Sequence, residues 1–219
     1  MSGDGRTAQA DFWFDPVCPY TWITSRWLTE VTRVRPVAVC WRVMSLQVLN
    51  EGLEVNPEDP DGEWGDYLWG PVRVCAAVAE RYGSAMLGRY LTELGVRLHE
   101  RGDWAGAEGA LRALGLPTAL AEAFGDEAYD GAVRASHAEA VARVGPGLGT
   151  PVIALDGPAG ERAAFFGPVV SPAPAGEAAG RLWDGLRALA AVPGFRELRG
   201  GRLAEPDFSR PGPPQPATG

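Results

Sequence analysis

A short apolar and aromatic run, Ala10 to Asp15, is closed by Pro16 and predicts a strand. From Pro19 the period changes. Ile23, Trp27, Val31 and Val34 recur at spacings of four, four and three, with Thr24, Ser25, Thr29 and Glu30 on the other face, which predicts a helix. Arg35-Pro36 ends it. Val37 to Met44 then alternates, with Val37, Val39, Trp41 and Val43 on one side, and predicts a second strand. Strand, helix and strand joined by short connections imply a parallel βαβ unit.

The next hundred or so residues carry helical spacing broken by turns. Asn56 to Glu63 is acidic and turn-rich and predicts a mobile surface loop. Pro71 to Tyr82 opens on proline and stops at Gly83, and Leu87, Leu91, Leu94 and Leu98 form a stripe ending before Gly102. Shorter helices are expected over Ala105 to Leu114 and Pro117 to Phe124. One more stripe runs through Tyr129, Val133, His137, Val141 and Val144. Strand character returns at Thr150 to Leu155. A turn at Asp156 to Gly160 and a returning strand at Ala163 to Phe166 follow, and Leu182, Trp183, Leu186 and Leu189 mark a last helix.

The expected fold class is α/β. βαβ and ββα halves complete one sheet, and a large all-helical insertion sits between them, packed over the sheet's edge. The division is a flexible N-terminus over 1–9, a discontinuous sheet domain over 10–46 and 148–200, a helical insertion or lid over 47–147, and a loose Gly- and Pro-rich tail over 201–219.

The strand-to-helix junction holds the first candidate chemistry. If Pro19 lies in the first helical turn, Cys18 is at the N-cap, where unpaired N–H groups and the positive end of the helix dipole face its sulfur. Both favour thiolate and predict a pKa below the ordinary thiol value of roughly 8.5. Thr21, one turn on, would add a hydrogen bond from its hydroxyl or amide. Thr150-Pro151 is the second informative pair. A proline is tolerated at a strand start; trans is its ordinary state, and a cis bond would turn the Thr150 backbone toward an adjacent ligand. Cys40, in an alternating strand, and Cys75, on a Val- and Ala-rich helix, read as small hydrophobes. Gly145 to Gly149 follows a helix and precedes a strand, the reverse of a phosphate loop, and reads as a hinge.

Composition narrows the partners. Of 219 residues 22% are charged; the 20 basic residues are all Arg, and the net charge is −8. That balance argues against nucleic acid and anionic membrane. Three cysteines fit a reducing compartment better than a disulfide scaffold. Met1 to Gln9 has no apolar signal core and no stretch approaches the roughly 20 apolar residues of a spanning helix. A cytoplasmic protein is expected. His99 and His137 lack the Cys or carboxylate spacing of a metal site. His137, on an apolar stripe, reads as a partly buried histidine with a possible supporting role at the site.

The order strand, Cys-Pro-x-x, helix, strand, helical insertion, Gly-Thr-Pro and hairpin resembles the DsbA-like thioredoxin superfamily. Asp11 to Pro16, Trp22 to Trp27, Val43-Met44-Ser45-Leu46, Trp69 to Arg73 and Phe165 to Val169 are similar to its actinobacterial mycothiol-dependent nitroreductase branch. The resemblance implies a thioredoxin fold with a helical lid, a cysteine nucleophile at Cys18 and a cis-proline at Pro151 facing it. It implies mycothiol, or another small thiol, as co-substrate, with no tightly bound cofactor. That branch has Cys-Pro-Trp-Cys where this chain has Cys18-Pro19-Tyr20-Thr21. A mixed disulfide at Cys18 must then be cleared by an outside thiol or a remote cysteine.

The expected function is a cytosolic thiol-dependent oxidoreductase with one nucleophilic cysteine, a small thiol as reductant, and a disulfide or electrophile as substrate. Cys18 and Thr21 are the catalytic candidates. Pro19, Tyr20, Thr150, Pro151, Trp64, Tyr67 and Trp69 are the binding candidates. The alternatives are a thiol transferase or isomerase resembling the kappa-class glutathione transferases, where Cys18 only orients a bound thiol, and a non-catalytic thioredoxin-like binding or chaperone module.

Overall fold

The computed structural model describes residues 7–198, 200–201 and 205–209. Four strands form one sheet in the order β2-β1-β3-β4. β1 (Ala8–Phe14) pairs in parallel with β2 (Val37–Val43) through the helix α1 (Pro19–Val34) and antiparallel with β3 (Val152–Asp156), which pairs antiparallel with β4 (Arg162–Phe166). The strand that opens the chain thus sits at the centre of the sheet, joining the two halves.

Between β2 and β3 lie the short α2 (Leu46–Leu49), the long α3 (Gly70–Gly95), α4 (Ala107–Ala113) and α5 (Asp130–Val144), with short stretches of other helix types between them. α6 (Gly176–Ala190) follows the hairpin. α3 is broken at Gly83, whose φ of 78° and ψ of 175° leave the helical region, and glycine is the residue for which that conformation costs least. The sequence places a stop at that residue.

Successive residues of β1 point to opposite faces, and the two faces are covered differently. Phe12 and Phe14 join the main core with α1, α3 and α6, including Trp27, Val31, Leu91 and Trp183. Trp13 faces the other way, onto a smaller cluster of Met44, Ala140, Val152 and Ala154, flanked by Val141 and Val144. α5, expected within an insertion at the sheet's edge, therefore covers a face of the sheet. Its stripe of small apolar residues fits the bulky Trp13.

Two boundaries differ from expectation. Ala8 and Gln9, read as flexible N-terminus, are strand residues: Ala8 pairs with Val37 and its N–H donates to the Pro36 carbonyl. Residues 1–6 lie outside the described residues. Of the tail expected over 201–219, residues 202–204 and 210–219 lie outside the described residues, while Phe208 packs against the core. The acidic loop at 56–63 is folded around the buried Asp59, whose carboxylate accepts from the N–H groups of Glu63, Trp64 and Gly65.

The helical block is fastened to α1 by close packing at Gly95, where a Cβ would lie 2.1 Å from the Trp22 ring. Gly95→Ala is expected to destabilise the chain by about 1–3 kcal/mol through forced displacement of that ring. The midpoint of urea unfolding measures this, and a midpoint equal to that of the unchanged chain would contradict the packing argument.

Candidate functional site

The site is assembled where β1 hands over to α1. Pro16 stops the strand, and Pro19 starts the helix, with Cys18 in the N-cap position in an extended conformation. The turn between them is pinned on several sides. The Asp15 carboxylate accepts from Val17 N at 2.9 Å and from Leu46 N at 2.7 Å, and the Asp15 carbonyl accepts from Cys18 N. From the helical block, His99 Nε2 lies 2.9 Å from the Pro16 carbonyl. A carbonyl only accepts, so Nε2 carries the hydrogen.

From the far half of the chain comes Thr150-Pro151, joined by a cis peptide bond. The Cys18 thiol donates to the Thr150 carbonyl at 3.9 Å, and the Thr21 and Thr150 hydroxyls are 2.7 Å apart. Cys18, Thr21, Thr150 and Pro151 thus come together across more than a hundred residues of sequence. Tyr20 is half-buried beside them, close enough to Glu205 and Cys18 that both charges, added to desolvation, push its phenol up.

The electrostatics overturn the expectation of a low thiol pKa. Cys18 is only 7% exposed, and burial pushes its pKa up. Hydrogen bonds from the Thr150 and Thr21 side chains and the Thr21 amide pull the other way and do not outweigh it, and the nearby Asp15 charge adds to the rise. Cys18 stands at the helix N-terminus, but taking a thiolate out of water is the largest influence on it. Asp15 is itself buried and is pushed up to about 7 by desolvation, against the two amides that favour its charged form.

The aromatic candidates separate into two groups. Trp64 and Tyr67 join Trp104 edge to face, and Tyr67 donates its hydroxyl hydrogen to the Trp104 carbonyl. Trp104 meets the edge of His99, which stacks on Trp22 and on Phe208. This cluster reaches the Cys18 turn through the His99–Pro16 hydrogen bond. Trp69 is placed differently: it is buried, with the Arg73 and Arg134 guanidinium groups 5.0 and 5.1 Å from its ring, and the structure does not bring it into that cluster. His137 is buried on α5, where its Nδ1 accepts a long 3.5 Å hydrogen bond from Ser45 N; burial depresses its pKa. It adjoins the site only through Ser45 and Leu46, the latter bonded to Asp15.

Asp15, His99, Trp104 and Phe208 are the contributors that sequence reasoning missed. Asp15 stands three residues before the thiol, a spacing that signals a carboxyl within the same turn. His99 follows the leucine stripe by one position and is hidden by it, and Phe208 lies in a segment read as tail. Among the described residues no group of three or more His, Cys, Asp or Glu is placed to hold a metal, and no helix is long and apolar enough to cross a membrane.

A parallel βαβ unit and an antiparallel hairpin, with a thiol at the mouth of α1 against a cis-proline, give the chain a thioredoxin-like α/β fold. More narrowly, the chain belongs to the Rv2466c-like family: the family model described as mycothiol-dependent nitroreductase Rv2466c matches residues 17–200. It is 33% identical over 195 residues to a Mycobacterium tuberculosis protein, uncharacterized protein Rv2286c, covering 86% of this chain and 80% of that one. Among solved structures, a 2-hydroxychromene-2-carboxylate isomerase is similar with a TM-score of 0.51 and 14% identity, covering 66% of this chain and 84% of its own. The cytosolic disulfide reductase DsbM of Pseudomonas aeruginosa gives a TM-score of 0.49 and 20% identity over 82% of this chain and 99% of its own. The structural likeness speaks to the fold; family membership makes the chain a thiol-dependent oxidoreductase.

Two pH effects follow from the buried pair. Asp15 titrates near 3.8 when unfolded and at about 7 when folded, so the native state holds the extra proton in between. The Asp15 contribution alone is therefore most favourable below about pH 4 and is lost as pH rises toward 7. Asp15→Asn is expected to flatten that fall, read from urea midpoints across the range. In the same variant the Cys18 alkylation rate rises at lower pH than in the unchanged chain, because a negative charge facing the sulfur is gone. An alkylation profile that does not move would show that the two groups are not coupled.

Proposed function

We propose that the protein is a monothiol oxidoreductase that works through Cys18 and is returned to its resting state by mycothiol. The observation that carries this reading is the Thr21–Thr150 hydroxyl contact beside Cys18, where the family resemblance implies a second cysteine. With a hydroxyl at that position no internal Cys-x-x-Cys disulfide can close.

In this reading Cys18 loses its proton and its sulfur attacks a substrate disulfide RS–SR′. The Cys18–SR bond forms, RS–SR′ breaks, and the leaving R′S⁻ takes up the proton. One mycothiol thiolate then attacks the R sulfur, freeing Cys18 and giving a mycothiol–R disulfide. A second mycothiol cleaves that disulfide, so two mycothiols become one mycothiol disulfide and the substrate leaves as RSH and R′SH. The Thr21 and Thr150 hydroxyls and the Thr21 amide stabilise the sulfur while it carries charge, and Pro151 and the Thr150 backbone orient the incoming sulfur. Trp64, Tyr67 and Tyr20 border the approach. Cys75 is fully buried and burial pushes its thiol well up, so it is a poor resolving group. A reducing cytoplasm supplies the thiol that this cycle consumes.

The raised Cys18 pKa favours a second reading, in which Cys18 stays a thiol and orients a bound small thiol that is itself the nucleophile. Intact-mass measurement during turnover with mycothiol and a disulfide substrate separates the two. A transient adduct on Cys18, with activity lost at least about a hundredfold in Cys18→Ser, is expected for the first. An active Cys18→Ser without adduct supports the second. Thr21→Cys is expected to yield an internal disulfide on oxidation and to reduce the adduct's lifetime, which the same mass measurement records.

A further inference from the structure

Residues 205–209 lie beside the start of α1, far from it in sequence, and belong to no helix or strand. We propose that this segment is a latch: the stacking of Phe208 on His99 holds the Cys18 turn closed, and release of that stack opens the sulfur to reagents. The latch adds a control of access to the site, whichever of the two roles given above Cys18 plays.

The segment is joined to the turn by way of His99. The Phe208 ring stacks on the imidazole with centroids 5.8 Å apart and planes at 30°. The same imidazole stacks on Trp22 at 6.1 Å, and its Nε2 donates to the Pro16 carbonyl, two residues before Cys18. Phe208 thus holds the ring that holds the turn. Without it the imidazole loses one of the stacked rings that set its plane. From the helix side, Tyr20 is close enough to both Glu205 and Cys18 to respond to their charges. The segment therefore bears on residues that precede the thiol and on one that follows it.

Its hold is slight. Ser171 Oγ accepts from Asp207 N at 2.8 Å and donates to the Glu205 carbonyl at 3.3 Å, while Ser209 N donates to the segment's own Asp207 carboxylate. Phe208 is half-buried, and Glu205, Asp207 and Ser209 are exposed. With Trp22, Arg26 and Glu100, residues 207–209 wall a cleft of about 430 Å³, so the segment spans a void instead of sealing a core. A stretch held by few contacts over open space opens at a fraction of the cost of global unfolding. The ground beneath it is firmer, since Thr24 of α1 donates to the Pro168 carbonyl at 2.9 Å and ties the Ser171 region to the helix. Opening then moves the latch and leaves α1 in place. Cys18 itself is buried, so a reagent needs such an opening to reach the sulfur.

The test uses the full chain and iodoacetamide, with alkylation of Cys18, Cys40 and Cys75 followed separately by peptide mass spectrometry. Phe208→Ala is expected to speed alkylation of Cys18 at least about tenfold, the factor by which a minor open state becomes a major one. Phe208→Tyr, which keeps the ring, is expected to react as the unchanged chain does. Ser171→Ala, which removes the polar anchor and leaves the ring, is expected to speed Cys18 by a smaller factor. Cys75, fully buried on α3, is the internal control, and its rate is expected to stay the same in every variant. An unchanged Cys18 rate in Phe208→Ala or in Ser171→Ala would overturn the latch, because the segment then does not guard the turn. A rise shared by Cys75 would overturn it too, because the chain has then loosened as a whole. Alkylation needs neither mycothiol nor a disulfide substrate. Failure of the latch therefore leaves the proposed cycle standing, and failure of the cycle leaves the latch standing.

Discussion

The turn from Asp15 to Cys18 has both ends buried, and that burial is the constraint around which the site is built. A carboxyl and a thiol three residues apart are taken out of water together, and the Asp15 charge disfavours charge on Cys18. Nothing near them carries a compensating positive charge among the interactions that set their titration. Hydrogen bonds hold the turn instead: two amides on the Asp15 carboxylate, a thiol on the Thr150 carbonyl, and an imidazole on the Pro16 carbonyl. Such an arrangement holds the sulfur in position and disfavours its charge.

The partners of this turn come from separate parts of the chain. Leu46 follows β2, His99 ends the α3 region, Thr150 precedes β3 and Thr21 stands in α1. The central position of β1 makes this possible, since β2 and β3 flank it on either side and deliver their connections to the same end of the sheet. The helical block contributes twice: α5 covers the face on which Trp13 lies, and the His99–Trp22 stack closes the other side of the α1 start. Close packing at Gly95 brings that stack near enough to touch.

The sheet, its parallel and antiparallel halves and the break at Gly83 were legible in the sequence because they rest on local signals: period, proline and glycine. The Cys18–Thr150 juxtaposition was legible through the family resemblance, since no local signal connects residues so far apart. The titration of Cys18 was misread because the dipole of a helix start is visible in sequence and the burial of that start is not. Burial depends on the lid, on Thr150 and on Asp15 together. His99 and Phe208 were missed for a related reason. Their roles come from stacking across tertiary contacts, and neither residue's neighbours in sequence announce a site. Trp69, chosen for its nearness in sequence to Trp64 and Tyr67, is turned by the start of α3 toward Arg73 and Arg134.

The Thr21 position shows how a single residue redistributes the work of such a site. A thiol there would give the sulfur of Cys18 a covalent partner. A hydroxyl gives it a hydrogen-bonding neighbour, already engaged with Thr150 at 2.7 Å. The hydroxyl pair can stabilise charge on the sulfur but cannot accept electrons from it, so the second half of any redox cycle must come from another thiol, outside the chain or elsewhere in it. Beside this turn a cleft runs along α1, and its walls include the C-terminal segment that packs through Phe208 onto His99.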